Sequence, residues 1–498
     1  MSKARQLGPV LLGIDVGTSS VKALLWPVDG SAPPRVARAP LRSRRGSAGA
    51  SEMDCRAWWR AVVRAVGRVE VSGAEVLGLG VSTVFPALVA MDARGRALRP
   101  AILYDDRRSV AQVETFRRQA AAQDGRAAGN RLLPGTISLS SLLWLRDNEP
   151  RLFSKARWFG HAGTYLGRRL TGRVALDATN ASLTGLYAAS GSGWLAEACA
   201  TAGVAPERLP EVVWPAETLG GLSRRAAQAL GLQAGIPVAA GAGDSACGAL
   251  ALGLVSPDEL VATCGSTDSL IALLETPTFD ESTVNLPYMD GGTWLAIAPM
   301  NASGAAVSWF SEVLFGSGRR RFDRFFAAAA RAPVASGGTV FLPYLAGERS
   351  PVFDPTARGV FFGLSLATGR AEMARAVLEG VAFGHREILS MLEARFGRRV
   401  ARVVAAGGGT ADRLWRQIRA DATERPYRYA DVPDASALGA ALLGGVAGGV
   451  FGSWREAASE ASHRVRFDEV RPDRGAWERL KPNFDVYARL YEAVRECF

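Results

Sequence analysis

Residues Leu11–Leu25, LLGIDVGTSSVKALL, decide how this chain is read. An apolar run reaches Asp15, the chain turns at Gly17, and a second apolar run follows. Glycine adopts backbone angles that other residues resist, so strand, tight turn, strand is the economical reading. Thr18, Ser19 and Ser20 line the turn and Lys22 follows it. Glycine among hydroxyl residues lets backbone N–H groups approach an anion closely. Asp15, at the strand end, suits a divalent metal or its waters. An ordinary hairpin with a polar tip fits the same residues, and Asp15 then serves only to stabilise the turn.

The pattern returns at Leu260–Leu274, LVATCGSTDSLIALL. Aligning Gly265 with Gly17 sets Ser266 and Thr267 over Thr18 and Ser19. One short internal match predicts two domains on a common plan, each offering a hydroxyl-rich hairpin to a shared cleft. The length of 498 residues agrees, because it exceeds what one ordinary core holds.

Bulk properties exclude several classes. The net charge of +11 comes almost wholly from arginines spread along the chain, with only Lys3, Lys22, Lys155 and Lys481 as lysines. A nucleic-acid binder concentrates such charge on a face or tail, so no nucleic-acid partner is expected. Positive charge does steer an anionic nucleotide. The first ten residues are short and mixed and do not read as a leader. The glycine-interrupted run Ala435–Phe451 falls short of the roughly 20 residues of a membrane span, and reads as a buried helix. Five scattered cysteines imply reduced, mostly buried thiols in a cytoplasmic protein. Three separated histidines give little material for a zinc site or a Ser–His–Asp triad.

Along the chain, Ser31–Ala50 is rich in Pro, Arg, Gly and Ser and reads as an exposed connection. The 3.6-residue spacing predicts a helix over Asp54–Gly67, followed by strands at Val76–Ser82, Phe85–Met91 and Pro100–Tyr104. The last strand ends in Asp105, Asp106, Arg107 and Arg108. Ligands of α/β domains gather beyond strand ends, and carboxylates beside guanidiniums suit sugar hydroxyls; a surface ion-pair cluster has the same composition. Helices are predicted at Val110–Gln123 and Ser140–Asn148. A strand over Ile236–Ala242 runs into Gly243, Asp244 and Ser245, placing an acid on a rigid element before a small-residue helix. Asp244 also fits a helix N-cap. In the second half, Gly338–Leu345 is a strand entering Gly347–Pro351, and Glu348 with Arg349 reads as a structural ion pair. Glu372–Leu392 is a long helix and Arg402–Ala406 a strand. Gly407, Gly408, Gly409 and Thr410 then precede a helix from Ala411 to about Ala422, an arrangement that admits a nucleotide's sugar or base. The spacing is not GxGxxG, which disfavours a Rossmann site. Asp434–Val450 is a small-residue helix expected to pack under that loop, and Pro482–Val494 is helical with Tyr487 and Tyr491 packing. His161 and His385 read as packing or surface residues.

In order, these segments resemble the FGGY family of carbohydrate kinases from Leu11 to about Tyr491. IDVGTSSVKALL resembles the first phosphate motif, PAILYDDRR the sugar-contacting segment, GAGDSACGAL the segment of the general base, and CGSTDS the second phosphate motif. PYLAGERSP and GVFFGLSLATGRAEMARAVLEG resemble further signatures, and AAGGGTADRLWRQIRADAT with DASALGAALLGG resembles the adenosine site. The resemblance implies an α/β protein of two actin-like (ribonuclease H-like) ATPase domains flanking a central cleft. It divides the chain into 1–245, for the sugar and the first phosphate motif, and 246–498, for the nucleotide.

The implied reaction moves the γ-phosphoryl of ATP to a hydroxyl of a sugar or polyol, a ketose such as xylulose among them. Asp244 is then the base and Asp15 positions Mg2+. Gly17, Thr18 and Ser19 hold phosphates together with Gly265, Ser266 and Thr267. Gly407, Gly408 and Gly409 admit the nucleoside, and Asp105, Asp106 and Arg108 grip the sugar. The resemblance is compatible with a homodimer. Two departures stand out: Val84-Phe85-Pro86-Ala87 replaces the Gln-Met-His-Gly of xylulose kinases, and Ser141 stands where a lysine is usual. An actin-like ATPase without a sugar acceptor and a catalytically silent sugar-binding relative are the competing readings.

Overall fold

In the computed structural model, which describes residues 8–71, 73–120, 128–277 and 282–498, the opening stretch forms strands Pro9–Val16 and Ser20–Pro27. They pair antiparallel with Asp15 opposite Lys22 and Val16 opposite Val21. Alternation along a strand sends successive side chains to opposite faces. Val10, Leu12, Ile14 and Val16 therefore enter one core, together with Trp58, Val62 and Val66 of helix Cys55–Arg68. That helix starts where the Asp54 carboxylate accepts the Arg56 N–H at 2.9 Å, an ordinary N-cap. The other face of the strand carries Gly13 and Asp15.

The chain forms two compact units, each assembled from separated segments. The first comprises Met1–Val255, Leu274–Leu295 and Pro433–Arg464. Its main sheet runs in the order Thr218–Gly221, Pro237–Ala239, Glu75–Thr83, Pro9–Val16, Ser20–Pro27, Arg35–Pro40. Pro9–Val16 lies parallel to Glu75–Thr83, with Asp15 in register with Ser82. A smaller antiparallel sheet, including Ser51–Met53, Ala101–Leu103 and Ala87–Met91, carries the 105–108 segment.

The second unit comprises Ser256–Leu273, Ala296–Val432 and Val465–Phe498. Glu259–Cys264 and Asp268–Leu274 form its hairpin, and Glu259–Cys264 lies parallel to Arg402–Ala406. Tyr427–Asp431 and Arg466–Val470 extend the sheet beyond it. A hairpin whose first strand pairs parallel with a later strand thus recurs in both units, as the internal match predicts.

Two segments differ markedly from the sequence reading. The connection Ser31–Ala50 contains a sheet strand, Arg35–Pro40, whose alternation is masked by exposed Arg and Pro and whose Ala39 is core. Edge strands carry such residues without losing their pairing. The predicted strand Ile236–Ala242 is two strands, Pro237–Ala239 and Ala242–Gly243. Gly241 breaks it at φ +81°, where a Cβ would sit 2.0 Å from the Val81 carbonyl oxygen. Helix Val110–Ala120 covers the described part of the predicted Val110–Gln123; residues 121–123 lie outside the described residues. Helix Ala435–Ala447 belongs to the first unit and packs on that unit's main sheet. There a Cβ on Gly13 would fall 1.8 Å from the Ala437 carbonyl oxygen, and one on Gly80 would fall 2.0 Å from that of Ala440. Only bare backbone permits that approach.

Among the described residues no helix is long and apolar enough to cross a membrane. Cys55, Cys199, Cys247 and Cys264 are buried free thiols and Cys497 is exposed, matching the reading of the cysteines as unbridged.

Candidate active site

Asp15 is the acid at the end of the first strand, and three elements meet on it. Lys22 Nζ, from the paired strand, donates to its Oδ2 at 3.0 Å, and Ser82 Oγ, from the parallel strand, donates to its Oδ1 at 2.9 Å. The third element is helix Ala435–Ala447, capped by Asp434, whose Oδ1 accepts the Ala437 N–H at 2.9 Å. Asp434 Oδ2 lies 2.8 Å from Lys22 Nζ. Burial pushes the Asp15 carboxyl above its usual range; the Lys22 ammonium opposes that and Asp434 adds to it. Burial also disfavours the Lys22 ammonium, but the two carboxylates outweigh it and hold its pKa up. One cation thus serves two acids.

Asp244 opens helix Asp244–Ala251 as its first residue, Gly243 taking the cap position. Its Oδ1 accepts the Ser245 N–H at 2.7 Å. Protein surrounds the side chain on most sides while one edge still meets solvent. Burial and the charge of Asp15 push its pKa up to about 7, against the Ser245 hydrogen bonds and Lys22. Asp15, Lys22, Asp434 and Asp244 therefore form one electrostatic group in the first unit.

A buried polar chain fixes the entry to Asp244. The Gly243 N–H donates to Thr179 Oγ1 at 2.9 Å, and Thr179 in turn donates to Asp177. Asp177 also accepts from Asn180 Nδ2 at 2.8 Å, and Asn180 Oδ1 lies 2.9 Å from His161 Nδ1. Burial lowers His161 to about 4, so the ring is neutral. With Asn180 Oδ1 as acceptor, the ring proton sits on Nδ1, and Nε2 accepts from Ser138 Oγ at 2.9 Å. His161 is a packing residue, as the sequence reading has it. The ring of Phe85, from the altered tetrad, lies against Gly243, where a Cβ would be 2.6 Å from Phe85 Cδ1.

The 105–108 segment is more closed than its composition implies. Asp106 is 3% exposed and accepts the Ser51 N–H at 2.8 Å and Arg108 Nη2 at 2.7 Å. Arg108 also pairs with Glu52 at 2.8 Å and stacks 4.0 Å over the Trp144 ring. Asp105 pairs with Arg45 at 2.5 Å through Oδ2, while its buried Oδ1 has no hydrogen-bond partner among the described residues. Buried acceptors are nearly always paired, which makes Asp105 Oδ1 the open acceptor of this segment.

In the second unit the Gly265 turn and the glycine loop lie together. A Cβ on Gly407, at φ +121°, would come within 2.2 Å of the Cys264 carbonyl oxygen. Gly408 is exposed, and a Cβ there would meet nothing within 4 Å. Helix Gly304–Phe315 pins the turn from its other side, with the Gly304 N–H donating to Gly265 O at 3.1 Å and that of Ala305 to Ser266 O at 2.9 Å. Glu348 Oε1 accepts the N–H groups of Asn301 and Arg349 at 2.7 and 2.8 Å. Burial pushes Glu348 up to about 7.

Sequence reasoning missed Asp434, Ser82, Glu52, Trp144, Thr179 and Asp268. The Asp-Ala-Ser start of a helix is an N-cap signal and marks Asp434 as a cap, but nothing local links it to Lys22. Among the described residues no three His, Cys, Asp or Glu side chains cluster as a metal cage. Asp15 and Asp434, which share Lys22, are the kind of donor set that fits magnesium, an ion that keeps several waters and binds through one or two carboxylates plus substrate phosphates.

Two sheet units with matching glycine–hydroxyl hairpins, one beside coupled carboxylates, define an actin-like phosphotransferase architecture. The N-terminal domain model of the FGGY family of carbohydrate kinases matches residues 10–251 and the C-terminal domain model matches 260–448. The chain belongs to this family, and is an ATP-using phosphotransferase with an alcohol group of a small sugar as acceptor. A xylulose kinase from Escherichia coli (strain K12) is 31% identical over 97% of this chain and 99% of its own length. A gluconokinase from Bacillus subtilis (strain 168) is 26% identical over 97% and 96%. The crystal structure of a xylulose kinase from Rhodospirillum rubrum matches with a TM-score of 0.89 and 28% identity, covering 98% of this chain and 99% of that one.

Proposed function

We propose that this kinase phosphorylates a ketose of the xylulose type, with Asp244 as general base. The observation that carries the reading is the Asp244 carboxylate at the start of a helix, raised to about 7 beside the Asp15–Lys22–Asp434 group. A base with that pKa takes a proton from a hydroxyl near neutral pH without being protonated most of the time. Phosphoryl transfer needs little covalent help from the protein; it needs in-line positioning and neutralised charge. In this reading Gly17, Thr18 and Ser19 together with Gly265, Ser266 and Thr267 hold phosphates through N–H and hydroxyl donors. Gly407, Gly408 and Gly409 admit the nucleoside.

Asp15 would hold magnesium, and the ion would supply neutralisation of phosphate charge. Lys22 opposes the upward push that burial and Asp434 give the Asp15 carboxyl. Asp105 contributes its open Oδ1 to a sugar hydroxyl, while Asp106 and Arg108 hold the segment's shape with Glu52. The segment 1–245 is thus assigned to the sugar and the first phosphate motif, and 246–498 to the nucleotide. A cytoplasmic protein, acting as a homodimer and without a nucleic-acid partner, completes the proposal.

The test is ATP consumption with magnesium across ketoses, aldonates and polyols, beside the Asp244→Ala variant. Stimulation by a ketose that vanishes in the variant is expected. Stimulation by an aldonate alone overturns the substrate class. Activity that no acceptor stimulates and that survives the substitution overturns the roles of Asp244 and of the sugar segment.

A further inference from the structure

Asp268 lies one residue beyond the second glycine–hydroxyl turn, in register with Cys264. Its side chain, with those of His385 and Arg419, is 0% exposed. Asp268 Oδ1 accepts the Gly265 N–H at 3.0 Å. Oδ2 accepts from Arg419 Nη2 at 2.8 Å and from His385 Nε2 at 3.0 Å. The other arm of the guanidinium, Nη1, donates to the Gly409 carbonyl oxygen at 2.8 Å. Arg419 belongs to helix Arg413–Thr423 and stacks 3.9 Å over the ring of Trp415. His385 belongs to helix Arg370–Phe396.

Burial pushes the Asp268 carboxyl up, but Arg419 and His385 outweigh it and hold it below its usual value. Burial lowers His385, so its neutral ring donates from Nε2 to the ionised carboxylate. A buried ion pair is weak evidence for stability, because desolvation opposes its Coulomb energy. What this one supplies is geometry. A guanidinium is a planar fork with fixed angles between its donors, so binding at both arms fixes the separation of the two acceptors. Here one acceptor chain leads to the turn at Gly265 and the other is the backbone of Gly409.

We propose that Asp268, Arg419 and His385 are positioning residues for the nucleotide, setting the spacing between the Gly265 turn and the Gly409 loop. The inference rests on the proposed assignment of Gly265–Thr267 to phosphates and Gly407–Gly409 to the nucleoside. It makes a demand that neither loop makes alone. A ligand touching both loops feels the spacing; a ligand touching only the glycine loop does not. Adenosine and ADP separate the two cases.

The experiment is calorimetric titration of the full chain and of Arg419→Lys with ADP plus magnesium, and separately with adenosine. Lysine keeps a charge beside Asp268 but has no second arm for Gly409. ADP is expected to weaken roughly tenfold, the loss of about one charge-assisted hydrogen bond. Adenosine is expected to stay within about twofold. Unchanged ADP binding, or parallel weakening of both ligands, overturns the proposal; parallel weakening is what general loosening of the unit gives.

Should Arg419→Lys fail to fold by circular dichroism, the double variant Asp268→Asn with Arg419→Gln removes both charges and leaves no lone ion buried. The same split is expected, and its absence overturns the proposal. Gly408→Asp reports on the underlying assignment, since its side chain enters open space at the exposed loop. If it weakens neither ligand, the nucleoside loop is misassigned. If it weakens both while Arg419→Lys shows no split, only the positioning role falls.

Discussion

Gly17 and Gly265 each open a tight turn, one residue longer at the first: the Gly17 N–H reaches Ser20 O, three residues on, at 3.1 Å, and the Gly265 N–H reaches Thr267 O, two residues on, at the same distance. The acids beside them have opposite surroundings. Asp15 shares Lys22 with Asp434, and the lysine side chain is 22% exposed. Asp268 is closed in by Arg419 and His385 with no exposure at all. Burial wins at Asp15, whose pKa is raised, and the neighbouring charges win at Asp268, whose pKa is lowered. One hairpin keeps its acid adjustable and near a second carboxylate; the other commits its acid to holding backbone in place.

The strongest way to break this comparison is to remove the base that the first group adjusts. Asp244→Asn is expected to lower kcat by about 10²–10⁴-fold, the usual contribution of a positioned base, with ATP and sugar KM values within a few-fold. Steady-state kinetics check this, and a loss of less than tenfold would mean that another group takes the proton.

Stability comes next. Asp268→Asn leaves the Arg419 charge buried without its anion and is expected to cost about 3–5 kcal/mol in denaturant unfolding. Asp15→Asn is expected to stay within about 1 kcal/mol, because the native environment already disfavours the ionised form. Equal losses at the two positions would erase the contrast.

The smallest effect sharpens it. The acid limb of kcat/KM is expected near pH 7, with the rate rising as Asp244 deprotonates. Lys22 favours both carboxylates, so Lys22→Met is expected to move that limb upward in pH, opposite to the shift from removing an anion. A limb that stays put or moves down would detach Lys22 from Asp244.

The hairpins were legible because their signals are local: apolar runs, one glycine and hydroxyls in fixed order. The same holds for Asp244, which follows an apolar strand directly. The partners of these residues were not legible. Asp434 reaches Lys22 from a distant helix, and Arg419 and His385 reach Asp268 from two further helices. Only tertiary packing brings them together. The surroundings of Asp106 were equally hidden: nothing local in its acid–base composition shows that the carboxylate accepts from Ser51 and Arg108. Strand Arg35–Pro40 was hidden because an edge strand tolerates charges and prolines that also mark loops.

Helix Ala435–Ala447, seated on the bare backbone of Gly13 and Gly80, has a consequence for the order in which the protein is made. The first unit needs Pro433–Arg464, yet those residues leave the ribosome long after Val255. At about 5–20 residues per second the gap is roughly 10–40 s. Throughout that interval the glycine strip of the nascent sheet lacks its cover, so the first unit completes its packing only when the chain is nearly finished.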